Sequence, residues 1–350
     1  MILKDNVGSP QIRACAVPLH SELTCWIITD GKAGDEMQCI AVAEALGCRY
    51  ELRRVHPRAP FTWFMPKGPI DPREAPSRPG SPIAPPFPDL AIGSGRRAIA
   101  YLRKVKAASN GRTFTVCLKD PRTGTQAADL IWVPEHDRLR GPNVLVSPTA
   151  PHRFPKERLD ALRFAPHPLI DDLPAPRVAV LVGGDSRHHR FTETDCTRLE
   201  RGLRDWAAHS AAHLMITTSR RTPGLLANHL RSLAREGGHV MWNGKGENPL
   251  ASYLAKADAI VVTADSTNMI GEAAGTGVPV HVFHPSGGHA KISRFLGTLD
   301  RLGIIHPFPG PMKTTTYEAL DPTGDIAKAI LTAMAVPIRQ RDEQEQGTAL

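Results

Sequence analysis

The chain carries a short segment of glycine, lysine and acid directly after its first apolar run. The segment reads Asp30-Gly31-Lys32-Ala33-Gly34-Asp35, and an alanine-rich helical pattern follows it at once. In an open parallel sheet such a turn brings backbone N–H groups to an anion at a helix N-terminus, so Gly31, Lys32 and Gly34 are predicted to bind phosphate. The spacing is neither GxGxxG nor a P-loop, which disfavours dinucleotide binding and ATP hydrolysis. The alternative is a tight turn in which Asp35 and Glu36 only complement the helix dipole.

Three later strand ends repeat this construction, and a fourth carries two arginines. Small or hydroxylated residues there run into the start of a helix, where N–H groups and hydroxyls can bind phosphate oxygens. The residues assigned to phosphate binding at these ends are Ser94, Gly95, Gly183, Gly184, Ser186, Arg187, Ser219, Arg220, Ser266, Thr267 and Asn268. A solvated strand end accounts equally well for Ser219 and Arg220. Repetition in both halves of the chain predicts one cleft between them.

Apolar runs alternate with helical patterns along most of the chain, which is typical of parallel sheets in α/β proteins. The 350 residues are enough for two domains of ordinary size. We therefore predict two α/β domains. The predicted parts are a poorly ordered leader (1–22), a first domain (23–165) with a proline-rich insertion (56–89), a linker (166–176), a second domain (177–336) and a polar tail (337–350).

The composition, 41% hydrophobic and 22% charged, is that of a soluble globular protein. No run of about 18 apolar residues occurs, and the first residues lack the apolar segment of a secretion signal, so a cytoplasmic location is expected. The six cysteines form no CxxC pair, which favours buried, reduced thiols, and no metal ligands are assigned. The net charge of +8 suits phosphate-bearing ligands, RNA or an anionic membrane, and equally a basic solvated surface.

The proline-rich insertion contains a cluster of large apolar side chains, Phe61, Trp63, Phe64 and Met65. Its prolines exclude a regular helix or an inner strand. Two interpretations stay open. The cluster covers the flank of the first core, or it makes a peripheral contact with an anionic surface at the inner membrane.

Five motifs in order resemble the mitochondrial-fission family, which is named for a plant elongated-mitochondria protein and is common in bacteria. They are TDGKAGDEMQ (29–38), PDLAIGSGRR (88–97), DLIWVPEHD (129–137), LVGGDSRHHRF (181–191) and TADSTNMIGEAAGTGVPV (263–280). The similarity covers roughly residues 23–335. That family is in turn similar to the GT-B glycosyltransferases, in which two Rossmann-like domains face each other across a nucleotide-sugar cleft. The resemblance thus implies a GT-B-like fold with the nucleotide on the second domain.

The resemblance also implies roles for single residues. In the lipid-intermediate glycosyltransferases that make peptidoglycan precursor, a glutamate placed like Glu272 binds the donor ribose. A carboxylate one turn into a helix can accept from two ribose hydroxyls while the helix N-terminus holds the diphosphate. A solvated helix glutamate is the alternative. The loop from Gly31 to Asp35 would face the acceptor, which makes Asp35 or Glu36 the candidate base.

The function implied is transfer of a sugar from a nucleoside-diphosphate donor to a lipid or envelope acceptor, with no cofactor and no metal. The alternative is a non-catalytic member of the same family that acts in membrane division or remodelling. RNA binding rests on charge alone because the chain shows no RNA-module motif, and no nucleic-acid partner is expected. The donor base, the sugar, the acceptor and the oligomeric state stay open.

Overall fold

The computed structural model describes residues 23–335, so the predicted leader and polar tail lie outside the described residues. The described chain forms two six-stranded parallel sheets. We call each sheet, together with the helices and loops that pack on it, the first half and the second half of the chain. Apolar residues are buried on both faces of each sheet. This arrangement confirms the predicted α/β class.

The first half holds six strands, three α-helices and two short 3-10 helices. They are β1 (Thr24–Thr29), α1 (Ala33–Ala45), β2 (Arg49–Arg54), α2 (Phe61–Phe64), a 3-10 helix (Pro72–Glu74), β3 (Leu90–Gly93), α3 (Ala98–Ala108), β4 (Phe114–Leu118), a 3-10 helix (Thr125–Ala127), β5 (Leu130–Pro134) and β6 (Val144–Ser147). The strand order is β2-β1-β3-β4-β5-β6. Alternate residues of β1 face opposite cores, with Ile27 on one side and Trp26 and Ile28 on the other.

The remaining elements follow in the order α4 (Lys156–Phe164), β7 (Arg177–Val182), β8 (His189–Arg190), α5 (Glu193–His209), β9 (His213–Thr218), α6 (Gly224–Glu236), β10 (Val240–Met241), α7 (Leu250–Lys256), β11 (Ala259–Thr263), α8 (Thr267–Ala274), β12 (Val280–Phe283), β13 (Ser286–Gly287), α9 (Ala290–Arg301), β14 (Ile305–Phe308) and α10 (Pro322–Ala335). The second sheet has the order β10-β9-β7-β11-β12-β14. Strands β8 and β13 form a separate antiparallel pair. Each parallel sheet thus directs the carboxyl ends of its strands to one edge.

The chain passes between the halves at two places, and neither coincides with the predicted boundaries. Leu159 of α4 and Ile170 of the predicted linker are both buried in the core of the second half, so the chain has crossed before α4. Helix α10 returns, and its Ile326 and Ile330 are fully buried in the core of the first half. Residues 322–335 therefore pack with the first half, although we assigned them to the second domain.

The proline-rich insertion divides its apolar residues between core and solvent. Met65 is buried in the core of the first half, and Phe61 packs against that core. Trp63 and Phe64, on α2, are 71% and 62% exposed. The core-covering interpretation therefore holds for two of the four residues.

Some elements escaped the sequence analysis because their patterns are weak. Strand β2 reads RYELRR and lies at a sheet edge, where most of its side chains are exposed.

Among residues 23–335, no helix combines the length and apolarity needed to cross a membrane. The five cysteines in this range are buried free thiols.

Candidate functional site

Three adjoining cavities lie between the two halves, at the carboxyl edges of the sheets. The first cavity has a volume of about 300 Å³, the middle cavity about 200 Å³ and the basic cavity about 850 Å³. Gly34 lines all three, and Asp35 lines the middle and basic cavities. The predicted turn after β1 therefore stands at the centre of the cleft.

The first turns of helices α1 and α8 meet in this cleft. The side-chain amide of Gln38 donates to Oδ1 of Asn268 at 3.4 Å, and a Cβ on Gly34 would lie 3.4 Å from Nδ2 of Asn268. No described side chain caps the start of α1, whereas Ser266 caps α8 by accepting from the N–H of Met269. Two positive helix ends are thus brought together with N–H groups left over, which favours an anion between them.

Glu272 lies one turn into α8 and lines the first cavity. Its carboxylate makes no hydrogen bond or ion pair with the described residues. Burial raises the pKa of Glu272 to about 7, because the low-dielectric surroundings penalise the charged form. By accessible surface the side chain is half-buried, so it lies between a solvated helix glutamate and a fully buried one.

The two candidate bases have different surroundings. Asp35 is buried and ion-paired with Lys119, and it lies against Gly95, where a Cβ would be 2.9 Å from Oδ2 of Asp35. Glu36 instead receives two hydrogen bonds from the guanidinium of Arg54, at 2.8 and 2.9 Å. This pairing lowers the pKa of Glu36. Glu36 is therefore held against the edge strand β2, and it does not line any of the three cavities.

In the second half, the backbone N–H groups of the glycine turn after β7 already have hydrogen-bond partners within the protein. The N–H of Gly183 donates to Oγ1 of Thr263 at 2.8 Å, and the N–H of Gly184 donates to Oδ2 of Asp265 at 3.0 Å. A Cβ on Gly184 would overlap the carbonyl oxygen of Arg221. The two glycines are thus required by close packing, and their N–H groups are not available to phosphate as predicted.

Other predicted phosphate ligands also have internal partners. The Ser94 hydroxyl is fully buried and donates to the carbonyl of Leu118 at 2.8 Å. Ser186 accepts from the N–H of His189 at 3.1 Å. Ser219 accepts from the N–H of Arg221 at 3.1 Å. These hydroxyls have internal partners, and none of the three serines lines the three cavities.

The remaining predicted residues separate into two groups. Those that border the cleft are Gly34, Gly95, Arg187, Thr267, Asn268, Glu272 and Lys32, although Lys32 is also ion-paired with Asp30 at 2.9 Å. Gly31 has a φ of +80° and lies beside Arg54, and Arg220 is exposed at a strand end. Neither of these two residues borders the three cavities.

Sequence analysis missed several residues that line the cleft. His136 follows β5 in the DLIWVPEHD motif and lines the middle cavity. Burial, and then the charge of Lys291, lower the pKa of His136, which favours the neutral imidazole. Phe154, Asn248 and Leu250 line the first cavity. His136 gave a usable signal, because it is a titratable residue close after the carboxyl end of a predicted strand, and Lys119 gave the same signal after β4.

Comparison with known proteins identifies the family. The profile of the family described as Mitochondrial fission ELM1 matches residues 33–334. The chain belongs to the mitochondrial fission ELM1 family. Mitochondrial fission protein ELM1 of Arabidopsis thaliana is 26% identical over 275 residues, which cover 71% of this chain and 64% of that protein. An uncharacterised protein of Rickettsia prowazekii is 30% identical over 110 residues, 31% of each chain.

Solved structures resemble this ELM1-family chain at low sequence identity. A putative UDP-N-acetylglucosamine 2-epimerase from Listeria monocytogenes has a TM-score of 0.50 and 12% identity, covering 89% of this chain and 88% of that chain. UGT71G1 of Medicago truncatula, complexed with UDP-glucose, has a TM-score of 0.46 and 11% identity, covering 94% and 95%. The fold is GT-B-like, with two Rossmann-like halves, as the sequence motifs implied.

The raised pKa of Glu272 predicts how stability depends on pH. The folded value of about 7 exceeds the ordinary value of 4.5, so the unligated protein loses stability as the pH rises between these values. Glu272→Gln should therefore stabilise the unligated protein near pH 8, by up to about 3 kcal/mol, and leave it nearly unchanged near pH 4.5. Urea denaturation at both pH values measures this difference. The exposed Glu318→Gln is the control, and a destabilised Glu272→Gln near pH 8 would contradict the assignment.

Proposed function

We propose that the first cavity binds the nucleoside diphosphate of a nucleotide sugar. The single observation that carries the proposal is the unpartnered Glu272 carboxylate beside two facing helix N-termini. Glu272 would accept hydrogen bonds from the ribose hydroxyls. The diphosphate would lie between the first turns of α1 and α8, where Gly34 and Asn268 meet. The base would then occupy the part of the cavity bordered by Phe154 and Leu250.

The chemistry that fits this placement is glycosyl transfer. An acceptor hydroxyl oxygen attacks the anomeric carbon of the donor, and the bond from that carbon to the diphosphate oxygen breaks. The bonding electron pair leaves with the nucleoside diphosphate, whose charge the helix N-termini stabilise. The hydroxyl proton passes to a base at the middle cavity. His136 fits this role as a neutral imidazole, and Asp35 is the second candidate because Lys119 already holds its carboxylate.

A second role, contact with an anionic membrane, is favoured by one specific observation. Trp63 and Phe64 are exposed together on α2, and Lys67 is exposed close behind them. Aromatic side chains flanked by a cation suit shallow insertion at a headgroup interface. An enzyme with a lipid acceptor and a non-catalytic protein of membrane division would both use such a surface. The surface is therefore compatible with either function.

Glu272→Gln tests the donor site. The amide keeps the shape of the side chain and one acceptor oxygen but loses charge-assisted hydrogen bonds, each worth roughly 1.5 to 3 kcal/mol. We expect affinity for the best-binding nucleoside diphosphate, chosen by a thermal-shift screen, to fall about tenfold to a hundredfold in calorimetric titration.

Glu318→Gln should leave this affinity unchanged, because Glu318 is exposed away from the cavities. His136→Gln should keep nucleotide affinity and lose transfer. Equal affinities of the wild type and Glu272→Gln would refute the ribose role. A wild type that binds no nucleoside diphosphate would favour the non-catalytic function.

The membrane contact predicts that replacing Trp63 and Phe64 by serine reduces binding to vesicles that contain anionic lipid. Because both aromatic side chains would insert into the membrane, their loss should lower the partition coefficient between vesicles and water by at least about tenfold. Co-sedimentation measures this change. Phe164→Ser is the matched control, since Phe164 is 86% exposed but lies on the other half. Unchanged sedimentation of the double variant, or an equal loss for Phe164→Ser, would contradict the contact.

A further inference from the structure

The basic cavity carries three arginine side chains that no carboxylate of the described chain neutralises. Arg96 and Arg122 come from the first half, and Arg187 comes from the second half. All three are exposed, and none forms an ion pair with a described residue. Only the Arg96 guanidinium has a hydrogen-bond partner, the carbonyl oxygen of Thr62 at 3.0 Å.

The lysines of the same cavity, unlike these arginines, form ion pairs with carboxylates. Lys119 is paired with Asp35, and Lys291 of α9 is paired with Asp137 across the cleft at 3.0 Å. These pairs account for two of the three carboxylates that line the cavity. The third, Asp120, accepts from the backbone N–H of Arg122 at 2.8 Å. The unpaired positive charge is therefore concentrated on the three arginines.

Planar guanidinium groups bind phosphate oxygens with two parallel hydrogen bonds, which lysine cannot do. Three such groups line one cavity from two halves of the fold, and an anion with several oxygens would neutralise their like charges. The cavity is also the largest of the three in the cleft, at about 850 Å³. Both its charge and its size suit a phosphate-bearing molecule.

The position of the basic cavity indicates which substrate it receives. It shares Asp35, Lys119 and Lys291 with the middle cavity, but shares only Gly34 with the first cavity. The middle cavity, with Asp35 and His136, thus separates the basic cavity from Glu272. A molecule in the basic cavity would reach the donor sugar from the side opposite the nucleotide.

We propose that the basic cavity binds the acceptor, and that the acceptor carries a phosphate or diphosphate group held by Arg96, Arg122 and Arg187. This inference rests on the proposed function, since it takes the first cavity as the donor site. The phosphate belongs either to a lipid headgroup or to a soluble phosphate ester. Arg187 then binds acceptor phosphate, in place of the nucleotide phosphate we predicted for it from sequence.

Inorganic pyrophosphate and vesicles test the proposal. Pyrophosphate is titrated into protein saturated with the nucleoside diphosphate selected by the screen, so that the donor site is filled. Arg122→Gln and Arg187→Gln should each weaken pyrophosphate binding about tenfold to a hundredfold and leave nucleoside-diphosphate affinity unchanged. Arg78→Gln is the control, because Arg78 is an exposed arginine of the first half outside the cleft.

Vesicles of phosphatidic acid in phosphatidylcholine, compared with phosphatidylcholine alone, distinguish the source of the phosphate. Arginine-dependent binding of these vesicles supports a lipid acceptor, and arginine-dependent binding of pyrophosphate alone supports a soluble one. The proposal is overturned if both arginine variants bind both probes like the wild type, or if Arg78→Gln loses as much affinity. A wild type that binds pyrophosphate through these arginines but binds no nucleoside diphosphate overturns the donor site, and with it the acceptor role.

Discussion

The arrangement of the cleft depends on the close approach of α1 and α8. Each helix follows an inner strand of its own sheet, so the contact between Gln38 and Asn268 joins the two carboxyl edges, as does the ion pair between Lys291 and Asp137. Gly34 makes the approach possible, because its missing side chain leaves room for the Asn268 amide. The electrostatic consequence is two partial positive charges at one point, each of about half a unit. A bound diphosphate would compensate this charge, which links the packing of the halves to the ligand they would hold.

The second half supplies an internal anion where a phosphate-binding turn would otherwise be exposed. Asp265 accepts from Gly184 and is also paired with Arg221 at 3.1 Å, so the turn after β7 is rigid and closed. In the proposed function, phosphate therefore binds at the helix N-termini on the cleft side. Charge is also divided within the cleft. The half-buried carboxylate of Glu272 lines the first cavity, and three arginines with no ion-pair partner among the described residues line the basic cavity.

Much of the fold could be predicted because its inner strands are nearly continuous apolar runs, such as Arg177–Val182, and because turns of small residues follow several of them. The edge strand Arg49–Arg54 has no such run, since solvent covers most of it. The crossing of α10 was missed because an apolar helical face does not reveal which core receives it. At the site, Asn268 was predicted from the helix start and Glu272 from the resemblance, and both residues line the first cavity. Nothing in the pattern of Gly183-Gly184 showed that an aspartate 81 residues further on accepts the N–H of Gly184. This contact between residues distant in sequence is visible only in the folded structure.

The most direct test of the account is a crystal structure of the protein with the nucleoside diphosphate that binds it best. We expect both ribose hydroxyls within about 3.2 Å of the Glu272 carboxylate, the usual limit for such hydrogen bonds. We also expect the diphosphate at the first turns of α1 and α8, beside Gly34 and Asn268. A nucleotide bound with its ribose away from Glu272, or with its phosphates on the Gly183-Gly184 turn after displacement of Asp265, would contradict the account.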